Sequence, residues 1–179
     1  MSEIEDNKVI ESVLAGETDD FRHLVAKYQQ PLFNYAFRNV GSYDNARDIT
    51  QQVFIKAYIK LKSFDNKYKF FSWLFRIAIN ETINYTKYHR RFVRIDDYKR
   101  ELAQDEYQSL EKEEIKERVE KSIMELNPKY RTLIILKHFE DYSYTEIAGI
   151  LGLTEKKVKS RLFSAREKLS RKLGRDLLR

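Results

Sequence analysis

Residues 143–169 read SYTEIAGILGLTEKKVKSRLFSAREKL. Ser143 followed by Glu146 fits a capping box, in which the serine oxygen takes the glutamate N–H and the glutamate reaches back. A short helix over 144–151 then ends at Gly152, and Thr154 caps a second helix running to about Leu173. Ala148 is small where two helices cross closely, and Ile147, Leu151, Val158 and Leu162 supply a shared core. Two short helices around a tight glycine turn form a helix-turn-helix, whose second helix enters the major groove of DNA. Between Lys156 and Arg161 four of six residues are basic. The alternative for this stretch is a plain helical hairpin with a solvated basic face.

Upstream, Asn127-Pro128 is a helix start, with Pro at the first helical position, and Leu133, Ile134, Leu136 and Lys137 carry that helix to a break at 140–142. The first half of the chain is helical too. Thr18 is the expected N-cap of a stripe formed by Phe21, Leu24, Val25, Tyr28, Leu32 and Tyr35. Gly41-Ser42 breaks the chain. The next helix puts Ala46, Ile49, Val53, Ala57 and Leu61 on one face and Asp48, Gln51, Gln52, Lys56 and Lys60 on the other. Ser72 is expected to open a third helix with Trp73, Leu74, Ile77 and Ala78 inward.

Charge is unevenly distributed. The total of +6 divides into +4 over 1–95, −5 over 96–120 and +7 over 121–179. Two basic blocks flank an acidic stretch without apolar periodicity, which reads as a linker, in part helical. Five glycines and two prolines leave few turn signals. With no cysteine there is no disulfide, thiolate metal site or cysteine nucleophile. The polar, acidic first residues do not resemble a signal peptide, and no apolar run is long enough to cross a membrane.

A second nucleic-acid signal is TINYTKYHRRFVR, residues 82–94, where Tyr85, Tyr88, His89 and Phe92 alternate with Lys87, Arg90, Arg91 and Arg94. Cations follow a phosphate backbone, while aromatic rings stack on unpaired bases at about 1–3 kcal/mol each. The loop SFDNKYKFF, residues 63–71, adds four aromatics in nine residues. Several of these rings read equally well as core, Trp73 most of all. The Asp48-Gln51-Gln52 face, taken alone, reads as solvated. No catalytic constellation is present: His23, His89 and His138 lack metal-ligand spacing. No cofactor motif occurs either.

Three stretches then carry a resemblance to the extracytoplasmic-function (ECF) group of the sigma-70 family: residues 46–64, 70–91 and 126–169. The resemblance implies an all-α chain of two small domains. A region-two domain over 1–95 and a region-four helix-turn-helix domain over 123–179 would be joined by an acidic linker at 96–122. It implies a factor without an active site that directs promoter-specific initiation. Asp48, Gln51, Gln52 and Phe54 would contact the β′ coiled coil of core RNA polymerase. The −10 element would be read and held open by Asp65, Asn66, Lys67, Tyr68 and Lys69 in the loop. Asn80, Asn84, Tyr85, Lys87, Tyr88, Arg90 and Arg91 would join them from the helix. The −35 duplex would meet Ser143, Thr154, Lys156, Lys157, Lys159, Ser160, Arg161, Ser164 and Arg166. Apolar residues of region four would face the β flap. The resemblance also implies a cytoplasmic location, nucleoid association with polymerase, and an anti-sigma partner able to hold the factor at the membrane. The chain departs from the family pattern at Gln52, where glutamate is usual, and at Asn84, where aspartate is frequent. Lys156-Lys157 stands in place of a small residue and threonine.

Two other readings compete. A conventional helix-turn-helix regulator needs no single-strand surface, and a nuclease needs clustered metal-binding carboxylates or histidines. Co-purification with core polymerase separates the sigma reading from both.

Overall fold

The structure is a computed structural model that describes the backbone of residues 3–92 and 110–176 and the side chains of 5–88, 115 and 118–174. Every regular element among them is helical: α1 (Glu3–Ala15), α2 (Phe21–Val40), α3 (Tyr43–Lys60), α4 (Phe70–Phe92), α5 (Leu110–Met124), α6 (Pro128–His138), α7 (Tyr144–Leu151) and α8 (Glu155–Asp176). The chain divides into two compact units, one over residues 1–99 and 149–151 and the other over 100–148 and 152–179.

In the first unit α2 packs along α3, and both pack on α4. The connection between α2 and α3 follows from its residues. Gly41 has φ 70°, a left-handed turn that lets its N–H close on Phe37 O, and Ser42 Oγ accepts Asn45 N–H at 3.5 Å to start α3. The apolar stripe 46, 49, 53, 57 and 61 is buried along its whole length. With Leu24, Leu32, Tyr35, Leu74 and Phe75 it forms the core. Burial of each large side chain stabilises the fold by about 1.5–3 kcal/mol relative to exposure.

Three local expectations differ from the structure, and one helix, α1, comes in addition to those expected. Thr18 does not cap α2: it begins a 3-10 turn, Thr18–Asp20, and α2 starts without a side-chain cap. The polar N-terminal stretch is itself helical, because Ile10 and Val13 bury one narrow edge of α1. Helix α4 opens at Phe70 rather than Ser72, since Phe70 is itself part of the core. Trp73 and Ile77 are half-buried, while Leu74 and Ala78 are buried.

In the second unit the end of α5 is closed by an unusual partner. Arg131 is 2 % exposed. Its guanidinium donates to the carbonyls of Ile123 and Leu126, each at 3.2 Å, and to that of Met124. A helix C-terminus leaves carbonyls without intrahelical donors, and a buried arginine meets that need while its own N–H groups are satisfied. Asn127 Oδ1 accepts Lys129 N–H at 3.1 Å, with Pro128 at the first turn of α6. The capping box of α7 is complete, with Ser143 N–H to Glu146 Oε2 at 2.8 Å and Glu146 N–H to Ser143 Oγ at 3.2 Å. Gly152 has φ 63°. Thr154 Oγ1 accepts Lys157 N–H at 3.3 Å. Ile147, Ala148, Val158 and Leu162 are buried, and Leu151 is only half-buried.

Candidate nucleic-acid interface

On α8 the core face is Val158, Leu162 and Ala165. Helical geometry turns the remaining positions outward. Lys157, Arg161 and Ser164 lie at i, i+4 and i+7 on one side, with Lys156 and Ser160 beside them. All are exposed except Ser164, which is half-buried. Ser164 Oγ donates to Ser160 O at 3.3 Å. Ser143 and Thr154 are occupied as caps. Arg166 Nε donates to His138 Nε2 at 3.1 Å. That nitrogen is therefore unprotonated. Burial first, then the positive charges of Arg166 and Lys137, hold the His138 pKa below its usual 6.5. One residue that sequence reasoning missed is Phe163, which is 70 % exposed on the outward side of α8, next to Lys159 and Ser160. An aromatic one position from a buried leucine on a basic helix was the available signal.

The loop before α4 is anchored at both ends and bare in the middle. Phe64 packs edge-on against Phe70 at 5.4 Å and on Trp73 at 5.4 Å, while Phe70 meets Trp73 at 5.6 Å and Tyr28 at 5.9 Å. Between these rings, Asp65 Oδ1 accepts Lys67 N–H and Asp65 O accepts Tyr68 N–H, each at 3.0 Å. The turn holds Asp65 through Lys69 exposed, with Tyr68 66 % open. Along α4, Asn80, Asn84, Lys87 and Tyr88 share one exposed face. Tyr85 is rotated away from that face and is half-buried. Arg90 and Arg91 lie outside the described side chains. One face of α1, Asn7, Ile10, Glu11 and Leu14, lines a cleft with Phe64, Asp65 and Asn66. These α1 residues were missed because the stretch is polar overall and carries only a narrow apolar edge.

A groove of about 1020 Å³ runs between α2 and α3. Asp48 and Gln51 lie on its wall and Phe54 at its floor, where the Phe54 ring meets Phe21 edge-on at 6.4 Å. Phe54 is 8 % exposed and belongs to the core as much as to the groove. Gln52 is exposed but is not among the lining residues. The opposite wall, with Gln29, Gln30 and Phe33, comes from α2, and Ile55, Tyr58 and Ile59 extend the α3 side. These residues were missed because the sequence shows only that they lie off the core stripe. Among the described residues no cluster of His, Cys, Asp or Glu could hold a metal, and no helix is long and apolar enough to cross a membrane.

Family comparison gives two matches, "Sigma-70 region 2" over residues 24–92 and "Sigma-70, region 4" over 116–169. The chain is 34 % identical to the ECF RNA polymerase sigma factor SigW of Bacillus subtilis, covering 95 % of this chain and 97 % of that one. It is 33 % identical to the ECF RNA polymerase sigma-E factor of Escherichia coli, with 97 % of both chains covered. Among solved structures, CnrH in complex with the cytosolic domain of CnrY matches with a TM-score of 0.71 at 28 % identity, covering 96 % of this chain and 98 % of that one. The sigma factor RpoE of Bartonella quintana, in complex with the anti-sigma factor NepR, matches with a TM-score of 0.66 at 27 % identity, covering 87 % and 97 %. A chain whose described elements are all helical, which carries a capped helix-turn-helix, matches both region models and aligns with ECF sigma factors along nearly its full length, belongs to the ECF group of the sigma-70 family and is an RNA polymerase sigma factor that directs promoter-specific transcription initiation.

Proposed function

We propose that this sigma factor works by binding alone, dividing promoter recognition between two surfaces of different chemistry. Residues 1–95 act as region two, 96–122 as a linker, and 123–179 as region four. The carrying observation is the contrast between those surfaces. The outer face of α8 presents cations and hydroxyls, which suit phosphates and the N7 and O6 edge of guanine in a duplex. The loop 65–69 and the Asn80, Asn84, Lys87 and Tyr88 face of α4 present amides, two aromatic rings and cations, which suit unstacked bases. In this reading Lys156, Lys157, Lys159, Ser160, Arg161, Ser164 and Arg166 engage the −35 duplex, with Ser143 and Thr154 at the helix starts. The loop and α4 engage the −10 element, with Tyr85, Arg90 and Arg91 as supports.

Core polymerase docks in the α2–α3 groove, on Asp48 and Gln51 above Phe54, with Gln52 at its margin. The β′ coiled coil is the partner there, and the β flap meets region four. The groove's mix of amides, one carboxylate and apolar side chains suits an amphipathic helix. An anti-sigma factor is a further partner of this chain, a reading supported by the complex of RpoE with the anti-sigma factor NepR. The factor then resides in the cytoplasm, held at the membrane when its anti-sigma factor is membrane-bound. The test is a titration of the purified chain against core polymerase, followed by promoter opening with a fluorescent base analogue in the −10 element. Co-purification together with opening is expected. Duplex binding without polymerase association would favour a conventional helix-turn-helix regulator instead.

A further inference from the structure

Two helices of the second unit bring charge to one ring on a third. Lys137 Nζ, at the end of α6, lies 5.6 Å from the centroid of Tyr144, the first residue of α7. Lys159 Nζ, on α8, lies 5.3 Å from the same centroid. Two ammonium groups repel one another, and the negative face of an aromatic ring offsets that repulsion. Lysine is otherwise a point charge on a flexible stem. Here Lys137 is further fixed by donating to Tyr142 O at 3.1 Å. The carboxylates facing the pair are weak competitors. Asp141, fully open to solvent, is 3.6 Å from Lys137, and Glu155 is 4.0 Å from Lys159. Lys159 is exposed, while the Lys137 side chain is half-buried with its stem against the fold, and ion pairs whose carboxylates stand this open to solvent are weak.

We propose that Tyr144 is a positioning residue for promoter binding: its ring holds Lys137 and Lys159 together as a pair of backbone-phosphate contacts beside α8. The proposal rests on the reading that α8 docks on the −35 duplex, and it adds Lys137, a residue outside the reading helix, to that contact. It also assigns the pair to affinity rather than to sequence choice, because phosphates are the same at every base pair.

The test uses the full chain, a −35 duplex and an unrelated duplex, with affinity measured across salt concentrations. Tyr144→Leu is expected to weaken both duplexes about 5-fold, since it removes the ring and keeps the bulk. The salt slope should fall by about 0.9 for each phosphate no longer neutralised, and Lys137→Ala alone should free about one phosphate. Tyr144→Phe keeps the ring and should bind like the parent. In a Lys137→Ala, Lys159→Ala background, Tyr144→Leu should have no further effect. If its full effect persists there, the tyrosine acts through folding and the proposal is overturned. Arg161→Ala serves as the control for docking itself. If it weakens −35 binding while Tyr144→Leu does not, the positioning role alone is wrong. If neither has an effect, the docking reading falls and takes the proposal with it.

Discussion

Asp6 of α1 is buried to 2 % exposure, and its carboxylate meets Lys27 Nζ of α2 at 2.6 Å. Tyr28 OH donates to the other carboxylate oxygen. The Tyr28 ring in turn leans on Phe70 and Phe71 at the start of α4. A polar contact in the N-terminal helix is thus continuous with the aromatic cluster that anchors the loop. Asp6→Ala should therefore cost about 1–3 kcal/mol, because it leaves a buried hydroxyl and an ammonium without their acceptor. Urea unfolding checks this. A midpoint equal to the parent's would mean that α1 is not fastened through Asp6.

The groove between α2 and α3 separates contact from core. Asp48→Ala and Gln51→Ala change exposed positions and should move stability by no more than about 0.5 kcal/mol, while core polymerase affinity falls. Phe54→Ala removes a buried ring and should cost about 3–5 kcal/mol in stability. Its effect on polymerase would then be confounded by unfolding. A pull-down titration in which the Asp48 and Gln51 variants keep parental affinity would remove the assigned role.

On α8, Arg161→Ala should weaken binding by about 1–3 kcal/mol at one base pair if its guanidinium is bidentate to a guanine. Phe163→Ala should leave the melting temperature in place, since the ring is solvent-exposed. It should reduce preference for a thymine, whose methyl group is the apolar feature of the major groove. A panel of single-base promoter variants distinguishes the two. Uniform weakening across the panel would reassign both residues to the backbone.

Trp73 is the single tryptophan of the chain and packs on Phe64. Its emission should change when the loop engages unpaired −10 DNA and stay constant on duplex −35 DNA. Substitution of Tyr68 or of the turn-forming Asp65 should alter which −10 sequence opens, with core and −35 binding unchanged. Holding a base unstacked must offset about 1.4 kcal/mol per step. Equal opening rates in loop variants and parent would show that this loop does not read the element.

His138 should titrate below 6.5 in the folded protein, measurable by the pH dependence of its ring NMR signals. The unfolded chain then binds the proton first. Stability from this group is complete above pH 6.5 and declines as pH falls toward the folded-state value. Protonation also converts the acceptor of Arg166 Nε into a donor, so the hydrogen bond to Arg166 breaks in the same step. An unshifted titration would mean that the partial burial of His138 beside Arg166 and Lys137 does not persist in solution.

The helix-turn-helix was legible because its signals are local. Asn127-Pro128, Ser143 with Glu146, Gly152 and Thr154 each act on backbone groups within one turn, so their spacing is enough. The stripe of α3 was legible for the same reason, its period being that of the helix. The partners of exposed or charged residues were not legible. Whether Phe54 is contact or core depends on Phe21, far away in sequence. Whether α1 folds onto the domain depends on Asp6 finding Lys27 and Tyr28. Arg131 has the sequence pattern of one more surface cation, and only the end of α5 supplies carbonyls for it. Tyr144 gathers lysines from α6 and α8 that share no pattern with it. Periodicity states which way a side chain points along its own helix, and only packing between helices decides what it meets.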